Sequence, residues 1–482
     1  MHRKQTNKTF IYGISLIVTL GGFLFGYDTA VISGTIGSLE IFFIEPYHLS
    51  PVLSNTLLGI MVSGVLLGCV VGSALGGYCS QRFGRRQSLL LAAVLFLCSG
   101  IGSAMPEMGF AMPGEGDHTV LPMFIIYRIL GGVGVGLASV LSPMYIAEIA
   151  PASIRGKLVS WNQLAIVVGI LVVYFVNYFI AKQGDATWNI LYGWRWMFTS
   201  SAVPAFLFFI CLLFVPESPR WLVMKGKEAL AEKIMIRLNL GSVQDEIKAI
   251  RDSVTLVAVK GLKIGAKVWI AGILLSAFQQ LAGIQVMLYY APEIFKNMGQ
   301  GTDSAMMQTI LVGIANFSFT IVAIYTVDKY GRKPLLLVGS GLMALFMCVL
   351  AVCFFTHSLG ILALVCVLGF VASFAFSWGP VTWVLLSEMF PNAVRSKIMS
   401  AAVAVQWITN YLVTSTFPLL DKSCWLVNTF NHAFSFGLFG LMAILSGLFV
   451  WKMIPETKGK SLEEMEEIWK ININKSENKI EK

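Results

Sequence analysis

Long apolar stretches recur along the chain, separated by short segments that carry charges and turn residues. A helix that crosses the hydrocarbon core of a bilayer needs about 20 predominantly apolar residues. Twelve stretches meet this requirement, and we number them as predicted transmembrane spans 1 to 12. They begin near Phe10, Leu53, Ser88, Leu121, Leu158, Trp196, Val268, Ala305, Leu335, Gly360, Ile398 and Phe430.

The composition of the 482 residues agrees with this pattern. Of these residues, 56% are hydrophobic and 13% are charged, whereas an average soluble domain carries about 25% charged residues. The net charge of +9 does not indicate a nucleic-acid partner, because the basic residues form short clusters between apolar stretches without interleaved aromatic residues. We therefore predict an all-α membrane protein that is surrounded by lipid.

The basic clusters predict the orientation of the spans, because Lys and Arg in short loops mark the cytoplasmic side. They follow spans 2, 4, 8 and 10, whereas the opposite loops hold few basic residues and several acids. The clusters are Arg82, Arg85 and Arg86; Arg155 and Lys157; Lys329, Arg332 and Lys333; and Arg395 and Lys397. Both termini are therefore predicted to face the cytoplasm.

One long polar segment, Lys225 to Lys263, separates spans 6 and 7, and its apolar spacing predicts short cytoplasmic helices. We predict an N-terminal six-helix half over residues 1–220, a cytoplasmic helical linker over 221–266, a C-terminal six-helix half over 267–456 and a cytoplasmic tail over 457–482.

The two halves carry the same motifs in the same order. The motif from Glu148 to Lys157 corresponds to Glu388 to Lys397, Arg82 to Arg86 corresponds to Lys329 to Lys333, and Pro216-Glu-Ser corresponds to Pro455-Glu-Thr. Because six is an even number of spans, equivalent motifs lie on the same side of the membrane, and the repeat is parallel. This arrangement favours a transporter.

Two charges are predicted inside the membrane. At 1.5 Å per residue, Asp28 of span 1 and Arg128 of span 4 both fall in the outer half of the bilayer. Charges at such depths are costly unless they are paired, and they usually serve a function. Two interpretations remain: a permanent structural pair, or a carboxylate whose protonation weakens its hold on Arg128.

Several motifs together resemble those of a known family. They are Gly76-Gly77 with Arg82-Phe-Gly-Arg-Arg86, Pro216-Glu-Ser-Pro-Arg-Trp-Leu222, Gln279-Gln280, Val327-Asp-Lys-Tyr-Gly-Arg332 and Pro455-Glu-Thr-Lys-Gly-Lys460. On these residues the chain resembles the sugar porters of the major facilitator superfamily over nearly its full length. Within that family it is similar to bacterial symporters of D-xylose and protons, through residues 26–34 and 128–139.

The resemblance implies the major facilitator fold, a functional monomer in the bacterial inner membrane, and transport of a monosaccharide together with a proton by alternating access. D-xylose is expected as the first substrate and D-glucose as a competing substrate or inhibitor. Facilitators of the family typically carry Asn where this chain has Asp28, so this residue favours symport, and uncoupled transport of hexoses or pentoses is the alternative. Ser201 replaces a carboxylate of the similar xylose symporters, which predicts another proton route or looser coupling.

The resemblance also implies a set of sugar-binding positions: Phe25, Gln163, Ile170, Gln279, Gln280, Gln285, Tyr289, Asn316, Gly379, Trp383, Gln406 and Trp407. Helical rise alone places Gln280, Asn316 and Gln406 roughly halfway through spans 7, 8 and 11. Amides both donate and accept hydrogen bonds, as sugar hydroxyls require. Hydrogen bonding between helices is the alternative role of such residues.

Two of these positions depart from the family pattern. Gln285 stands where the family usually has Asn, and Ile170 stands where the xylose symporters have an amide and glucose facilitators have an apolar residue. The preference between xylose and glucose therefore remains open.

The charged cytoplasmic motifs are predicted to form conformational latches. In each half a glutamate lies seven residues before an arginine, within reach of it or of the neighbouring loops. The latch residues are Arg85, Glu148, Arg155, Arg332, Glu388 and Arg395, and the family resemblance implies Glu217, Arg220 and Glu456 as further members. The alternative is that these charges only set the topology.

Glycine and proline predict local breaks and close packing. Gly283 is expected to break span 7 between Gln280 and Gln285, and Gly379-Pro380 is expected to bend span 10. The glycines of span 4, from Gly131 to Gly136, are better explained by helix packing than by nucleotide binding, because no strand precedes them.

Other classes of protein fit less well. A transport-inactive sugar sensor would usually add a long signalling tail, and only 22 residues follow Lys460. An enzyme is not expected, because there is no Walker A motif and no constellation of a nucleophile with its base. The five histidines are scattered, and no metal site or cofactor is predicted.

Overall fold

In the computed structural model, residues 8–109, 117–238, 243–244, 247–248, 266–389 and 392–458 are described, and they are almost entirely helical, with no β-strand among them. The chain divides into two compact units, unit 1 over Met1–Val259 and unit 2 over Lys260–Lys482. The boundary between the units falls inside the segment 221–266 that was predicted as a linker.

Unit 1 contains spans 1 to 6. Its long helices are Lys8–Ala30, Pro51–Phe83, Arg85–Ala104, Leu121–Ile149 and Ala152–Ala181, and span 6 consists of Trp194–Ser200 and Ala202–Leu213. Short helical turns lie between spans 1 and 2 (Val31–Gly34, Ile36–Leu39, Glu40–Ile44, Glu45–Tyr47), before span 4 (His118–Val120) and before span 6 (Ala186–Trp188, Asn189–Gly193). After span 6 come the helices Pro219–Met224 and Glu228–Leu238.

Unit 2 contains spans 7 to 12. Span 7 consists of Ala266–Leu281 and Ile284–Tyr289, followed by Ala291–Asn297. Spans 8 and 9 are Thr302–Tyr330 and Arg332–Phe355, and span 10 consists of Ile361–Phe376 and Trp378–Glu388. Span 11 is Asn392–Asp421, the short helix Cys424–Phe430 follows, and span 12 is Ala433–Met453.

Eleven helical segments of the described chain are long and apolar enough to cross a membrane. Span 11 is not among them, although its helix has 30 residues, because polar side chains such as Gln406, Asn410 and Thr414 reduce its hydropathy. Large apolar side chains on the outer faces are exposed, including Val203 at 72% and Ile361 at 82%. Such faces are unfavourable in water and are expected to contact lipid.

Glycine allows spans 2 and 4 to pack backbone against backbone. A Cβ on Gly132 would overlap the carbonyl oxygen of Val65, and one on Gly136 would lie 2.5 Å from the carbonyl oxygen of Cys69. Small residues at such crossings permit the close approach of membrane helices. The predicted packing role of the span 4 glycines is confirmed.

The predicted break in span 7 is also confirmed. One helix ends at Leu281, Gly283 adopts a positive φ of 87°, and the next helix begins at Ile284. A Cβ on Gly283 would lie 2.6 Å from the ring of Phe439. Both the backbone conformation and the close contact therefore require glycine.

Span 10 breaks two residues earlier than predicted. The backbone leaves the helical conformation at Ser377, with φ −127° and ψ −90°, and a new helix begins at Trp378. Gly379 and Pro380 therefore lie in the first turn of the second helix. A proline is tolerated there because the first N–H groups of a helix have no partner within it.

Spans 3 and 9 begin in the same way, one in each unit. Glu217 accepts hydrogen bonds from the backbone N–H groups of Arg85 and Arg86. Glu456 accepts them from Arg332 and Lys333. Each carboxylate thus binds N–H groups that have no partner within the helix, at an N-terminus where the helix dipole favours negative charge.

The preceding glycines make room for these carboxylates. Gly84 and Gly331 have φ values of 98° and 92°, and a Cβ on Gly331 would lie 2.8 Å from Glu456 Oε2. The pKa values of the two carboxylates are shifted in opposite directions. Burial raises the pKa of Glu217, whereas at Glu456 burial is outweighed by backbone N–H donors, which together lower its pKa.

Between spans 11 and 12 of unit 2, His432 Nδ1 lies 3.1 Å from Asp421 Oδ1. Asn297 donates a hydrogen bond of 3.0 Å to the other oxygen of this carboxylate. Asp421 thereby joins the ends of three helices. Its hydrogen bond with His432 raises the pKa of the imidazole.

Gly331→Ala is expected to destabilise the protein by about 2 kcal/mol, because a side chain at this positive φ costs about 1 to 2 kcal/mol and also displaces Glu456. Thermal unfolding in detergent measures the effect. Gly341→Ala is the matched control, since no atom lies within 4 Å of a Cβ at this helical position. Equal unfolding temperatures for the two variants would contradict the requirement for glycine at residue 331.

Stability is also expected to depend on the protonation of His432. Because the pKa is raised in the folded state, the pairing contributes fully below the ordinary histidine pKa of about 6.5 and is lost as the pH rises through the raised value. His432→Asn should therefore lower the unfolding temperature more at pH 5.5 than at pH 8.5. His357→Asn is the control, since His357 is exposed and has the same positive φ class. A difference that does not change with pH would count against the ion pair.

Candidate functional site

The structure brings together the two charges that were predicted inside the membrane. Arg128 Nη1 donates to Asp28 Oδ1 at 3.1 Å, and Arg128 Nη2 donates to the backbone carbonyl of Asp28 at the same distance. The two residues are 0% and 2% exposed. Span 4 thus holds both the side chain and the backbone of span 1 at this depth.

The pair is enclosed by side chains of unit 1. The ring of Phe198 covers the guanidinium of Arg128, with 5.2 Å between Cζ and the ring centroid. Gly131 packs against Asp28 and Ser99. Removing one partner of such a buried pair leaves an uncompensated charge and typically costs about 3 to 5 kcal/mol. Neutralising Asp28 by protonation would therefore leave the buried charge of Arg128 uncompensated, at a comparable cost in free energy.

Ser201 is the residue that, by the resemblance, replaces a carboxylate of similar xylose symporters. It is buried, and its hydroxyl donates to the carbonyl oxygen of Phe198 at 2.8 Å. It also packs on Gly100 of span 3. Asp28 is therefore the acid of this buried cluster in the described part of unit 1, together with the Arg128 cation.

The amides of span 7 lie beside the break in span 10. Gln279 Nε2 donates to the carbonyl oxygens of Trp378 and Gly379 at 2.9 and 3.3 Å. Gln280 Nε2 donates to Gln279 Oε1 at 3.4 Å. Gln279 thus ties span 7 to the first turn of the second helix of span 10, through carbonyl oxygens that can accept a second hydrogen bond.

Two amide oxygens on neighbouring helices remain available. Spans 7 and 11 pack along each other, and the Oε1 atoms of Gln280 and Gln406 are buried without a hydrogen-bond partner in the described structure. Buried acceptors of this kind require a donor. Sugar hydroxyl groups are suitable donors.

The other predicted sugar-binding residues of unit 2 differ in burial. Asn316, Tyr289, Trp407 and Gly379 are buried, whereas Gln285 and Trp383 are partly exposed. Gln285 lies on the short helix after Gly283, as the predicted break requires.

In unit 1 the predicted sugar-binding residues lie on spans 1 and 5, which pack along each other. Phe25 and Gln163 are partly exposed, and Ile170 is 7% exposed. Gly26 allows this packing, because a Cβ at this residue would overlap the backbone carbonyl oxygen of Ile166.

Three of the predicted latch residues of unit 1, Arg85, Glu148 and Glu217, form a partly buried network. Arg85 Nη2 and Nε donate to Glu148 at 2.7 and 2.9 Å, and these two contacts form a bidentate ion pair. The hydroxyl of Ser218 donates to Glu148 Oε2. Together with Glu217 at the start of span 3, these residues connect the ends of three spans.

Unit 2 repeats this network with the equivalent residues. Arg332 Nη2 and Nε donate to Glu388 at 2.9 and 3.0 Å. The Thr457 hydroxyl donates to Glu388 Oε2 at 2.8 Å. Arginine is suited to this role because its planar fork matches a carboxylate.

Three further predicted latch residues are Arg155, Arg220 and Arg395. Arg155 is exposed and forms no ion pair with an acid of the described ranges. Glu148 therefore pairs with Arg85 and not with the arginine seven residues after it. Arg220 is exposed in the helix Pro219–Met224. The side chain of Arg395 lies outside the described residues.

Sequence reasoning missed several partners. The hydroxyls of Ser218 and Thr457 occupy equivalent positions of the repeated motifs, and this repetition was the available signal. The buried ion pair between Arg195 and Glu107, with 2.6 Å between Nη1 and Oε1, was also missed. Its partners come from different segments, and no local pattern connects them.

Comparisons with known proteins agree with this architecture. Residues 14–469 match the family described as Sugar (and other) transporter. The chain is 54% identical to the D-xylose-proton symporter of Escherichia coli strain K12, covering 98% of each chain. It is 44% identical to the glucose facilitated diffusion protein of Zymomonas mobilis, covering 97% of this chain and 99% of the relative.

A solved structure of the xylose transporter XylE from E. coli, in a partially occluded inward-open conformation, matches with a TM-score of 0.86 at 51% identity. The match covers 94% of this chain and 100% of that one. The fold is therefore the twelve-helix fold of the major facilitator superfamily. The chain is a multi-pass membrane protein and belongs to the sugar transporter family.

Proposed function

We propose that the protein is a symporter that carries one monosaccharide together with a proton by alternating access, and that Asp28 is the residue that binds the proton. The observation that carries this proposal is the fully buried pair of Asp28 and Arg128. A carboxylate is rarely placed inside a membrane unless its charge is used. Arginine stays protonated in proteins, so Asp28 is the member of the pair that titrates.

Protonation provides a switch between two arrangements. The ionised Asp28 attracts Arg128 strongly in these apolar surroundings, whereas the neutral acid does not. Loading a proton therefore releases the attraction that holds spans 1 and 4 together at this depth. One such site is sufficient, since a proton moving down 100 mV gains about 2.3 kcal/mol and tenfold accumulation of sugar costs about 1.4 kcal/mol.

The sugar is bound by the uncharged amides of spans 7, 8 and 11. Gln280 and Gln406 each offer a buried amide oxygen without a protein donor, and Asn316 supplies a further buried amide. Tyr289, Trp383 and Trp407 offer apolar faces to the C–H groups of the sugar. Phe25 and Gln163 of unit 1 are proposed as further binding residues.

D-xylose is the proposed first substrate and D-glucose the second. The 54% identity to a D-xylose-proton symporter supports xylose. The apolar Ile170, which replaces an amide of the similar xylose symporters, and the 44% identity to a glucose facilitated diffusion protein favour glucose as a competitor.

Uncoupled transport is the second candidate. It is favoured by Ser201, whose hydroxyl is bonded to its own helix and cannot replace a carboxylate as a proton acceptor. Asp28 argues against it, because uncoupled transport does not need a titrating acid inside the membrane.

The paired networks around Glu148 and Glu388 are proposed to act as latches that change with the transport cycle.

The protein is proposed to act as a monomer in the inner membrane, with both termini in the cytoplasm.

The decisive experiment compares the native chain with Asp28→Asn in proteoliposomes. An imposed proton gradient should drive accumulation of labelled D-xylose by the native chain. The variant should lose this accumulation, because it cannot bind the proton, and should retain counterflow of labelled against unlabelled xylose.

Thermal unfolding checks that the variant is folded, since Arg128 loses its ionised partner. If the proton gradient does not drive accumulation of xylose by the native chain, the protein is a facilitator instead. Accumulation by the variant equal to that of the native chain would exclude Asp28 as the proton site.

Substrate preference is tested at the two departures from the family pattern. Ile170→Gln restores an amide that can bond a sugar hydroxyl, and Gln285→Asn withdraws an amide by one methylene. The double variant is expected to raise the ratio of xylose to glucose affinity by about tenfold, the effect of one hydrogen bond. Competition between the two labelled sugars measures this ratio, and an unchanged ratio would show that neither residue sets the preference.

A further inference from the structure

Asp28 has one carboxyl oxygen that Arg128 does not use. Arg128 binds Oδ1 and the backbone carbonyl, whereas Oδ2 is buried without a hydrogen-bond partner among the described residues. Buried polar atoms in native proteins are rarely left without a partner. This oxygen therefore needs an explanation that the ion pair does not supply.

Ser99 of span 3 presents a second buried oxygen to the same place. Its side chain is 0% exposed, and its hydroxyl has no hydrogen-bond partner in the part of the chain that the structure describes. A Cβ on Gly131 would clash with this hydroxyl and would lie 3.3 Å from Asp28 Oδ2. The missing Cβ of Gly131 is what allows spans 1, 3 and 4 to bring the two oxygens to one point.

The separation of the two oxygens is within reach of a hydrogen-bonded bridge. The distances of the two oxygens from the Cβ position of Gly131 add up to less than about 5.6 Å, which is two hydrogen-bond lengths. This sum is the upper limit of the distance between Asp28 Oδ2 and Ser99 Oγ. A rotation of the Ser99 side chain or a single intervening water molecule spans that distance. A hydroxyl is suitable because it accepts one hydrogen bond while donating another.

Ser99 differs in this respect from the other groups around Asp28. The hydroxyl of Ser201 already donates to Phe198. The titratable and charged groups that face Asp28 in the described unit 1 are Arg128 on span 4 and the thiol of Cys69 on span 2. Arg128 can only donate hydrogen bonds, so it cannot accept one from a protonated carboxyl.

We propose that Ser99 is a positioning residue for the proton: its hydroxyl oxygen accepts the hydrogen bond of Asp28 after Oδ2 is protonated, directly or through one water molecule. The proton comes from the aqueous phase and forms the O–H bond at Oδ2, and the Ser99 hydroxyl keeps its own hydrogen while its oxygen accepts the new hydrogen bond. Ser99 thereby stabilises the neutral acid, while Arg128 stabilises the ionised one. This inference rests on the proposed role of Asp28 in proton coupling.

The test is the pH dependence of gradient-driven xylose uptake in proteoliposomes, at constant membrane potential, for the native chain and Ser99→Ala. Losing the acceptor makes protonation of Asp28 harder. The midpoint of the pH profile should move to lower pH by about half to one unit, the equivalent of one hydrogen bond. Counterflow of xylose, which needs no net proton movement, should change less than twofold.

Ser142→Ala is the matched control. Ser142 is equally buried, has no hydrogen-bond partner among the described residues, and packs on span 1 at Gly21, where a Cβ would lie 2.5 Å from its hydroxyl. It lies seven residues of span 1 away from Asp28, about 10 Å along the helix. Its removal should leave the midpoint unchanged.

The outcomes separate the two proposals. An unchanged midpoint for Ser99→Ala, or an equal shift for Ser142→Ala, would overturn the role of Ser99 while leaving Asp28 as the proton site. If the native chain shows no gradient-driven uptake, or if Asp28→Asn keeps it, the symport proposal fails, and the role proposed for Ser99 fails with it.

Discussion

The cost of placing a charge in hydrocarbon is the constraint on which this structure depends. Arg128 remains charged, so the protein interior must supply a counter-charge and a further acceptor. Asp28 supplies both, through its side chain and its backbone carbonyl. In the proposed mechanism the same cost makes the pair responsive, because one proton on Asp28 removes the counter-charge. A stable helix bundle can therefore contain a switch that needs only a single titrating group.

Glycine determines how closely the helices around this switch approach one another. Gly131 leaves the space that Asp28 Oδ2 and Ser99 Oγ both border, while Gly132 and Gly136 bring span 4 against the backbone of span 2. In a bilayer, where apolar side chains gain little by leaving lipid, such close contacts supply much of the packing energy. The glycine-rich part of span 4 thus serves both stability and the proposed proton chemistry.

At the helix ends, each unit uses one arginine, two glutamates and one hydroxyl in the same arrangement. Arg85, Glu148, Glu217 and Ser218 in unit 1 correspond to Arg332, Glu388, Glu456 and Thr457 in unit 2. The repeat is not exact in its electrostatics, since burial raises the pKa of Glu217 whereas backbone donors lower that of Glu456. The two networks are therefore expected to respond differently to acidification.

The sequence by itself determined the features that depend on local pattern: the number of spans, the repeat of motifs, the break at Gly283 and the presence of Asp28 and Arg128 within apolar spans. The length of a bilayer span, the order of the motifs and the conformational freedom of glycine are sufficient for these. Only the tertiary structure decided which partners meet. It selected Arg85 for Glu148, placed the break of span 10 at Ser377, and joined Arg195 to Glu107. It also brought Ser99 to Asp28, because contacts between residues far apart in the chain depend on how helices pack, and no local pattern records that.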